Sequence, residues 1–120
     1  GEGAKLPNIY CVNWFRKDEN GKFVWPGYGE NMRVLAWMLG RLEGKASGQE
    51  NIFGTTPSHG DINWSGLDFS AEQFAKVTSI DKAAWQAEMK LHDELFEQLS
   101  YHLPKELVDT KNALEARLAG

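Results

Sequence analysis

From Ile9 to Phe15 the chain alternates weakly between apolar and polar positions and is rich in β-branched and aromatic residues, which predicts a strand. Asp18-Glu19-Asn20-Gly21 follows, and Asn-Gly is a strong short hairpin signal because both residues tolerate positive φ. Lys22 to Trp25 is then the return strand, ended by Pro26-Gly27, since proline cannot donate to a ladder. From Glu30 or Asn31 to Glu43, the residues Met32, Leu35, Ala36, Leu39 and Leu42 recur at helical spacing on one face. Gly44 suits the C-terminal cap, and Gly40 weakens the helix slightly. Lys45 to Leu67 is rich in Gly, Ser and Asn, with apolar islands at Ile52-Phe53, Ile62 and Trp64. It predicts irregular backbone with a short strand at Ile52. Ser70 and Gln73 make a capping box, with Phe69 stapled to Phe74, for a short helix ending near Val77. Asp81 caps a longer helix, with Ile80 stapled to Trp85 and a stripe of Trp85, Met89, Leu95, Phe96 and Leu99. Pro104 starts the last helix, which carries Leu107, Val108, Leu114 and Leu118. The expected fold is α+β: an N-terminal β-hairpin or small sheet followed by about four helices. By segment, residues 1–28 form the hairpin and its loop, 30–44 a helix, 45–68 irregular chain and 69–120 helices. No internal repeat is visible.

The length of 120 residues suits one domain, and 42% apolar residues suffice for one modest core. No run approaches the ~18 apolar residues of a membrane span, and no signal peptide opens the chain. A net charge of -4 argues against a polyanion-binding surface, which needs clustered Lys and Arg. It does not argue against one small nucleotide held by its base. The single cysteine, Cys11, has apolar neighbours Ile9, Tyr10 and Val12, and reads as a buried thiol in a reducing cytoplasm.

Motifs of catalysis are thin. Gly44-Lys45-Ala46-Ser47 resembles the tail of a phosphate loop, but Leu39 stands where that pattern needs its first glycine. Ala46 stands where it needs Ser or Thr. A helix cap and linker is the favoured reading. His59, His92 and His102 fall in no metal-binding pattern, and Glu88, Asp93, Glu94 and Glu97 read as a solvated helix face. No nucleophile, base or metal constellation emerges.

The stretch Asn13 to Asn31, NWFRKDENGKFVWPGYGEN, is different. It sets Trp14, Phe15, Phe23, Trp25 and Tyr28 among Gly, Asp and Asn. Any one of these rings serves as a core anchor. Strand alternation, however, puts Trp14 and Phe15 on opposite faces and Phe23 with Trp25 on the same one. Tyr28 lies on a Gly-flanked turn where backbone can approach a ligand. Phe15, Tyr28, Phe23 and Asn31 together offer two ring faces, an edge and a carboxamide, the parts of a slot for a base. Asn31 equally suits a helix N-cap. Two rival classes are an aromatic hairpin module binding sugar or peptide, and a purely structural helical domain with its rings buried.

The same residues carry a resemblance. Val12 to Met38 closely resembles the pattern V-N-W-F-R-K-D-x-x-G-K-F-x-W-P-G-F-G-E-N-x-R-V-L-x-W-M of GTP-dependent phosphoenolpyruvate carboxykinase, C-terminal segment. KLPNIYCVNWF and LEGKA resemble that family too, so the likeness covers essentially the whole chain. It implies a guanine pocket in which Phe15 and Tyr28 sandwich the base, Phe23 closes its edge and Asn31 bonds its polar rim. Gly29 and Glu30 complete the loop along the nucleotide. The family has Phe where this chain has Tyr28, and tyrosine still stacks. The implied reaction converts oxaloacetate and GTP to phosphoenolpyruvate, GDP and CO2. The phosphate loop, the ligands of Mn2+ (and Mg2+) and the oxaloacetate-binding arginines would all lie outside these residues. The 120 residues alone are therefore expected to be inactive. Expected partners are a guanine nucleotide and the catalytic part of the same protein, with self-association through exposed strand edges. No nucleic acid or membrane partner is expected, and the expected location is cytoplasmic.

Overall fold

The computed structural model describes residues 3–120; Gly1 and Glu2, which open the expected 1–28 segment, lie outside the described residues. The fold is α+β, with helices α1 (Asn31–Leu42), α2 (Ala71–Thr78), α3 (Lys82–Gln98) and α4 (Lys105–Ala119). Its two-stranded sheet pairs β1 (Gln49–Asn51) with β2 (Gly54–Thr56), between α1 and α2. The chain divides into two compact units. One runs to Gln49 and resumes over Thr55–Thr78; the other joins Glu50–Gly54 to Ser79–Gly120.

The strands expected at Ile9–Phe15 and Lys22–Trp25 do not form. One antiparallel bridge, Lys17 to Phe23, is all that remains of that ladder. The turn itself is well made: the Asp18 carboxylate accepts from the N–H groups of Asn20 and Lys22, and Gly21 N–H donates to Asp18 O. Residues 9–15 lack a neighbouring strand within the described chain, and a strand without a partner leaves its backbone groups to solvent. Ile9, Val12 and Cys11 are accordingly exposed, so the expected burial of the Cys11 thiol is corrected. Ile52 also departs from expectation, because Ile52-Phe53 is the turn joining β1 to β2 rather than a strand.

Helix α1 matches its expected span but not its expected buried face. Trp37 is buried with Val34 and Met38 packed beside it, whereas Met32, Leu35, Leu39 and Leu42 stay exposed. Two apolar stripes run along this helix, and the bulkier one takes the core. Trp37 also donates from Nε1 to Ser47 O at 2.8 Å, which brings the chain back against its own helix. Gly40 owes its place to that return: a Cβ there would meet the Ala46 Cβ at 2.9 Å. Gly44, at φ +70°, turns the chain out of the helix as the cap expectation required.

The first unit's core is Trp37, Ile62, Phe69 and Phe74, with Tyr10, Trp64, Leu67 and Val77 around it. The capping box of α2 forms in full: Ser70 N–H donates to Gln73 Oε1 at 2.8 Å and Gln73 N–H to Ser70 Oγ at 3.2 Å. Asp61 gathers the loop ahead of it, accepting from Ser47 Oγ at 2.6 Å and from Ser58 N–H and Oγ at 2.8 and 2.7 Å. Those bonds, Ser47's first, hold its carboxyl below the ordinary carboxylate range. Arg33 ties α1 to the same region. It pairs with Glu30 and donates to the carbonyls of Asn63 and Ser65 at 2.6 and 3.0 Å.

In the second unit Asp81 caps α3 through Ala84 N–H at 3.1 Å. Met89 and Leu118 are its buried residues, and Lys111 of α4 pairs with both Asp93 of α3 and Glu115. Leu95, Leu99 and Leu107, expected on apolar stripes, are half open to solvent.

Two predictions test this frame. Arg33→Ala should lower stability by roughly 1–3 kcal/mol in urea unfolding, because two carbonyls and a carboxylate lose one fork of donors. Arg33→Lys should restore only part of that loss, since an ammonium cannot bridge the same acceptors. For Asp61 the depressed carboxyl contributes stability above its ordinary pKa, and that contribution is lost as pH falls through the folded-state value. Asp61→Asn should therefore melt below the parent at neutral pH, with the gap closing below about pH 4.

Candidate functional site

The opening aromatic stretch folds around Trp25. This ring is 6% exposed and packs against Trp14 (5.6 Å between centroids), Phe69 (6.0 Å) and Trp64 (6.2 Å). Pro26-Gly27 then leads into a single 3-10 turn, Tyr28–Glu30, which runs directly into α1 at Asn31. On the near side the Lys17–Phe23 bridge returns Phe23 to Phe15, edge to face at 6.2 Å. Lys17 caps the Phe23 ring at 5.2 Å.

Between these segments and the start of α2 lies an open cleft of about 920 Å3. Phe15, Phe23, Tyr28 and Asn31 all line it, with Trp14, Trp25, Leu67 and Phe69 as apolar lining and Asp18, Lys22, Asp68, Gln73 and Lys76 as polar lining. The three aromatic candidates are open: Phe15 is 75% exposed, Phe23 53% and Tyr28 92%. Asn31 is half-buried, and its Oδ1 accepts from Trp25 Nε1 at 2.8 Å. It caps nothing through its side chain, since it is already the first residue of the helix.

Gly29 and Glu30 lie outside the cleft lining, and Glu30 spends its carboxylate on Arg33. Phe23 and Trp25 both line the cleft, but they differ in burial: Phe23 is open and Trp25 is core. What sequence reasoning missed is the contribution of Leu67, Phe69, Gln73 and Lys76, which reach the cleft from well beyond the aromatic stretch in order. No local signal marks them, because Phe69 and Gln73 are already accounted for by the staple and capping box of α2. The Trp25–Asn31 bond was equally invisible, since the two residues lie on either side of a turn and no single element's period relates them.

His59 does other work. His59 stacks on Trp64 at 5.3 Å and its Nε2 bonds Phe69 O at 2.7 Å, so that nitrogen carries the proton. Among the described residues no three His, Cys, Asp or Glu side chains converge as a metal cage. Nor is any helix of the described residues long and apolar enough to cross a membrane.

The cleft thus combines open aromatic rings with both charged and amide side chains at its lining. The chain belongs to the phosphoenolpyruvate carboxykinase C-terminal P-loop domain family, whose model matches residues 1–117. It is 46% identical over 112 residues to "Phosphoenolpyruvate carboxykinase [GTP]" of Anaeromyxobacter sp. (strain K), covering 93% of this chain and 19% of that protein. The mitochondrial "Phosphoenolpyruvate carboxykinase [GTP]" of Mus musculus is 47% identical over 118 residues, 98% of this chain and 18% of that protein. The Treponema pallidum (strain Nichols) enzyme of the same name is 42% identical over 116 residues, or 96% and 19%. The chain thus spans about a fifth of the length of the relatives it matches. Its own Gly44-Lys45 is a helix cap, so that dipeptide does not form the phosphate loop for which the family is named.

The exposure pattern makes a direct prediction. Phe15→Ala should shift the melting temperature by no more than about 2 °C, because little apolar area leaves a buried site. Trp25→Ala should cost about 3–5 kcal/mol, as for a large core ring. Paired thermal and urea melts read both.

Proposed function

We propose that the cleft is the guanine-base site of a GTP-dependent phosphoenolpyruvate carboxykinase, and that this chain is the base-binding part of that enzyme. The full protein would take oxaloacetate and GTP to phosphoenolpyruvate, GDP and CO2. The observation that carries the reading is convergence. Phe15, Phe23, Tyr28 and Asn31, spread over seventeen positions, line one open cleft, and the three rings are left exposed in it. Phe15 and Tyr28 supply stacking faces, Phe23 an edge and Asn31 the hydrogen bond. Glu30, held by Arg33, and Gly29 shape the turn that presents Tyr28. The relatives' printed names, each a GTP-dependent carboxykinase, support the choice of nucleotide.

Magnitudes bound what this part does alone. Base stacking contributes ~1–3 kcal/mol per contact, so two faces give roughly 2–6 kcal/mol before ordering costs. Millimolar binding needs about 4 kcal/mol and micromolar about 8. Phosphoryl transfer depends on metal and cations that neutralise the phosphates. Mn2+ or Mg2+ would be held by residues beyond these 120, and no step here runs through them.

Titrating the 120-residue chain with GDP and ADP, read by tryptophan fluorescence, should give saturable quenching in the millimolar range with GDP the stronger. In a full-length protein carrying this segment, Asn31→Ala should weaken GTP more than ATP. Equal loss for both nucleotides would reject Asn31 as the reader of the base.

A further inference from the structure

We infer that Trp25 is a positioning residue for base selection: its indole N–H locks the Asn31 carboxamide so that the cleft offers a purine a donor and not an acceptor. This rests on the reading of the cleft as a purine site and deepens it. An asparagine amide has an oxygen that accepts and a nitrogen that donates, and the two orientations are nearly isosteric. Left free, it would turn to suit either a 6-oxo or a 6-amino purine, because their edges differ mainly in which group sits at C6. N7 accepts in both and discriminates nothing.

Trp25 removes that freedom. Its Nε1 carries a hydrogen and can only donate, and it stands 2.8 Å from Asn31 Oδ1. Turning the amide over would set two donors against each other. Neither partner can yield easily. The Trp25 ring is buried against Trp14, Trp64 and Phe69, and the Asn31 backbone is the first residue of α1. Both residues line the cleft. Among the described residues no protein group accepts from Asn31 Nδ2, so its hydrogens remain for a ligand. A purine bearing a carbonyl at C6 meets a donor there. One bearing an amino group meets donor against donor and leaves both unsatisfied, which is the costly case. Selectivity then comes from a buried ring that never touches the base through its nitrogen.

The test uses GMP, IMP and AMP, which separate the C6 carbonyl from the 2-amino group. Binding to the 120-residue chain is measured by ligand-observed NMR titration. The parent should hold GMP and IMP about tenfold tighter than AMP. Trp25→Phe keeps a ring and loses the donor, so IMP and AMP should come within about twofold of each other, with AMP binding tighter than to the parent. A gain for AMP is a change that loss of packing alone would not produce. Circular dichroism checks the fold. If Trp25→Phe unfolds, a synthetic chain with β-(3-benzothienyl)alanine at position 25 keeps the bicycle without the N–H, and the same result is expected of it. An unchanged IMP-to-AMP ratio in the folded variant, with the parent still selective, overturns the role of Trp25 and leaves the base site standing. A parent that binds no purine at all overturns the base site itself and this inference with it.

Discussion

Trp25 belongs at once to the core and to the cleft, and the geometry of the first unit follows from that double membership. Its ring packs against Phe69, at the entry to α2, and Trp64 in the loop before it. Its nitrogen reaches the first residue of α1. The aromatic stretch, the α1 start and the α2 start are therefore referred to one side chain. A smaller or more mobile anchor would leave Phe23 and Tyr28 on a chain with almost no ladder to direct it, since a single bridge is the only strand pairing of residues 9–25 among those described. Burial fixes the ring, proline follows it immediately, and the 3-10 turn then leads into α1 with Tyr28 exposed on it.

Around that anchor the polar loops are held by side chains rather than by sheet. Arg33 spans from Glu30 to two carbonyls of the 63–65 loop, and Asp61 draws Ser47 and Ser58 together. Each satisfies backbone or hydroxyl groups that irregular chain would otherwise leave to water. These ties cost little apolar area, which suits a chain whose core is small. The stripe Met32, Leu35, Leu39 and Leu42 stays open along α1, and Leu95, Leu99 and Leu107 stay half open in the second unit. Exposed apolar stripes of this kind are the usual mark of a surface that meets another.

What the sequence made legible is what local chemistry decides. The Ser70–Gln73 box, the Asp81 cap and the Gly44 exit all appear where the residues within four positions demand them. Strands were not legible, because Ile9–Phe15 has the composition of a strand and lacks the partner that would make it one. The buried side of α1 was not legible either: Val34, Trp37 and Met38 compete with Met32, Leu35 and Leu39 at equal spacing, and only the packing of Ile62, Phe69 and Phe74 decides between them. The cleft lay between these cases. Its rings were visible as an oddity of composition, and the family resemblance was what grouped them. Its α2 contribution needed the fold.

The openness of those rings has a physical consequence of its own. Three aromatic side chains left in water forgo stabilisation at about 25 cal/mol per Å2 of apolar area, a real cost for a small domain. A chain free to minimise that cost would fold them onto Leu67 and Phe69, which lie in the same cleft. It is prevented locally. Asn13 Oδ1 accepts from Phe15 N–H at 3.1 Å, the Asp18 turn fixes the approach of Phe23, and the Tyr28–Glu30 turn is held at its C-terminal end, where Arg33 pairs with Glu30 and Trp25 bonds the adjoining Asn31. The rings are thus kept apart from the core by hydrogen bonds whose acceptors are side chains of the same stretch. The backbone at these positions is thus placed by hydrogen bonds, while Tyr28, the most exposed of the three rings, keeps its side-chain freedom.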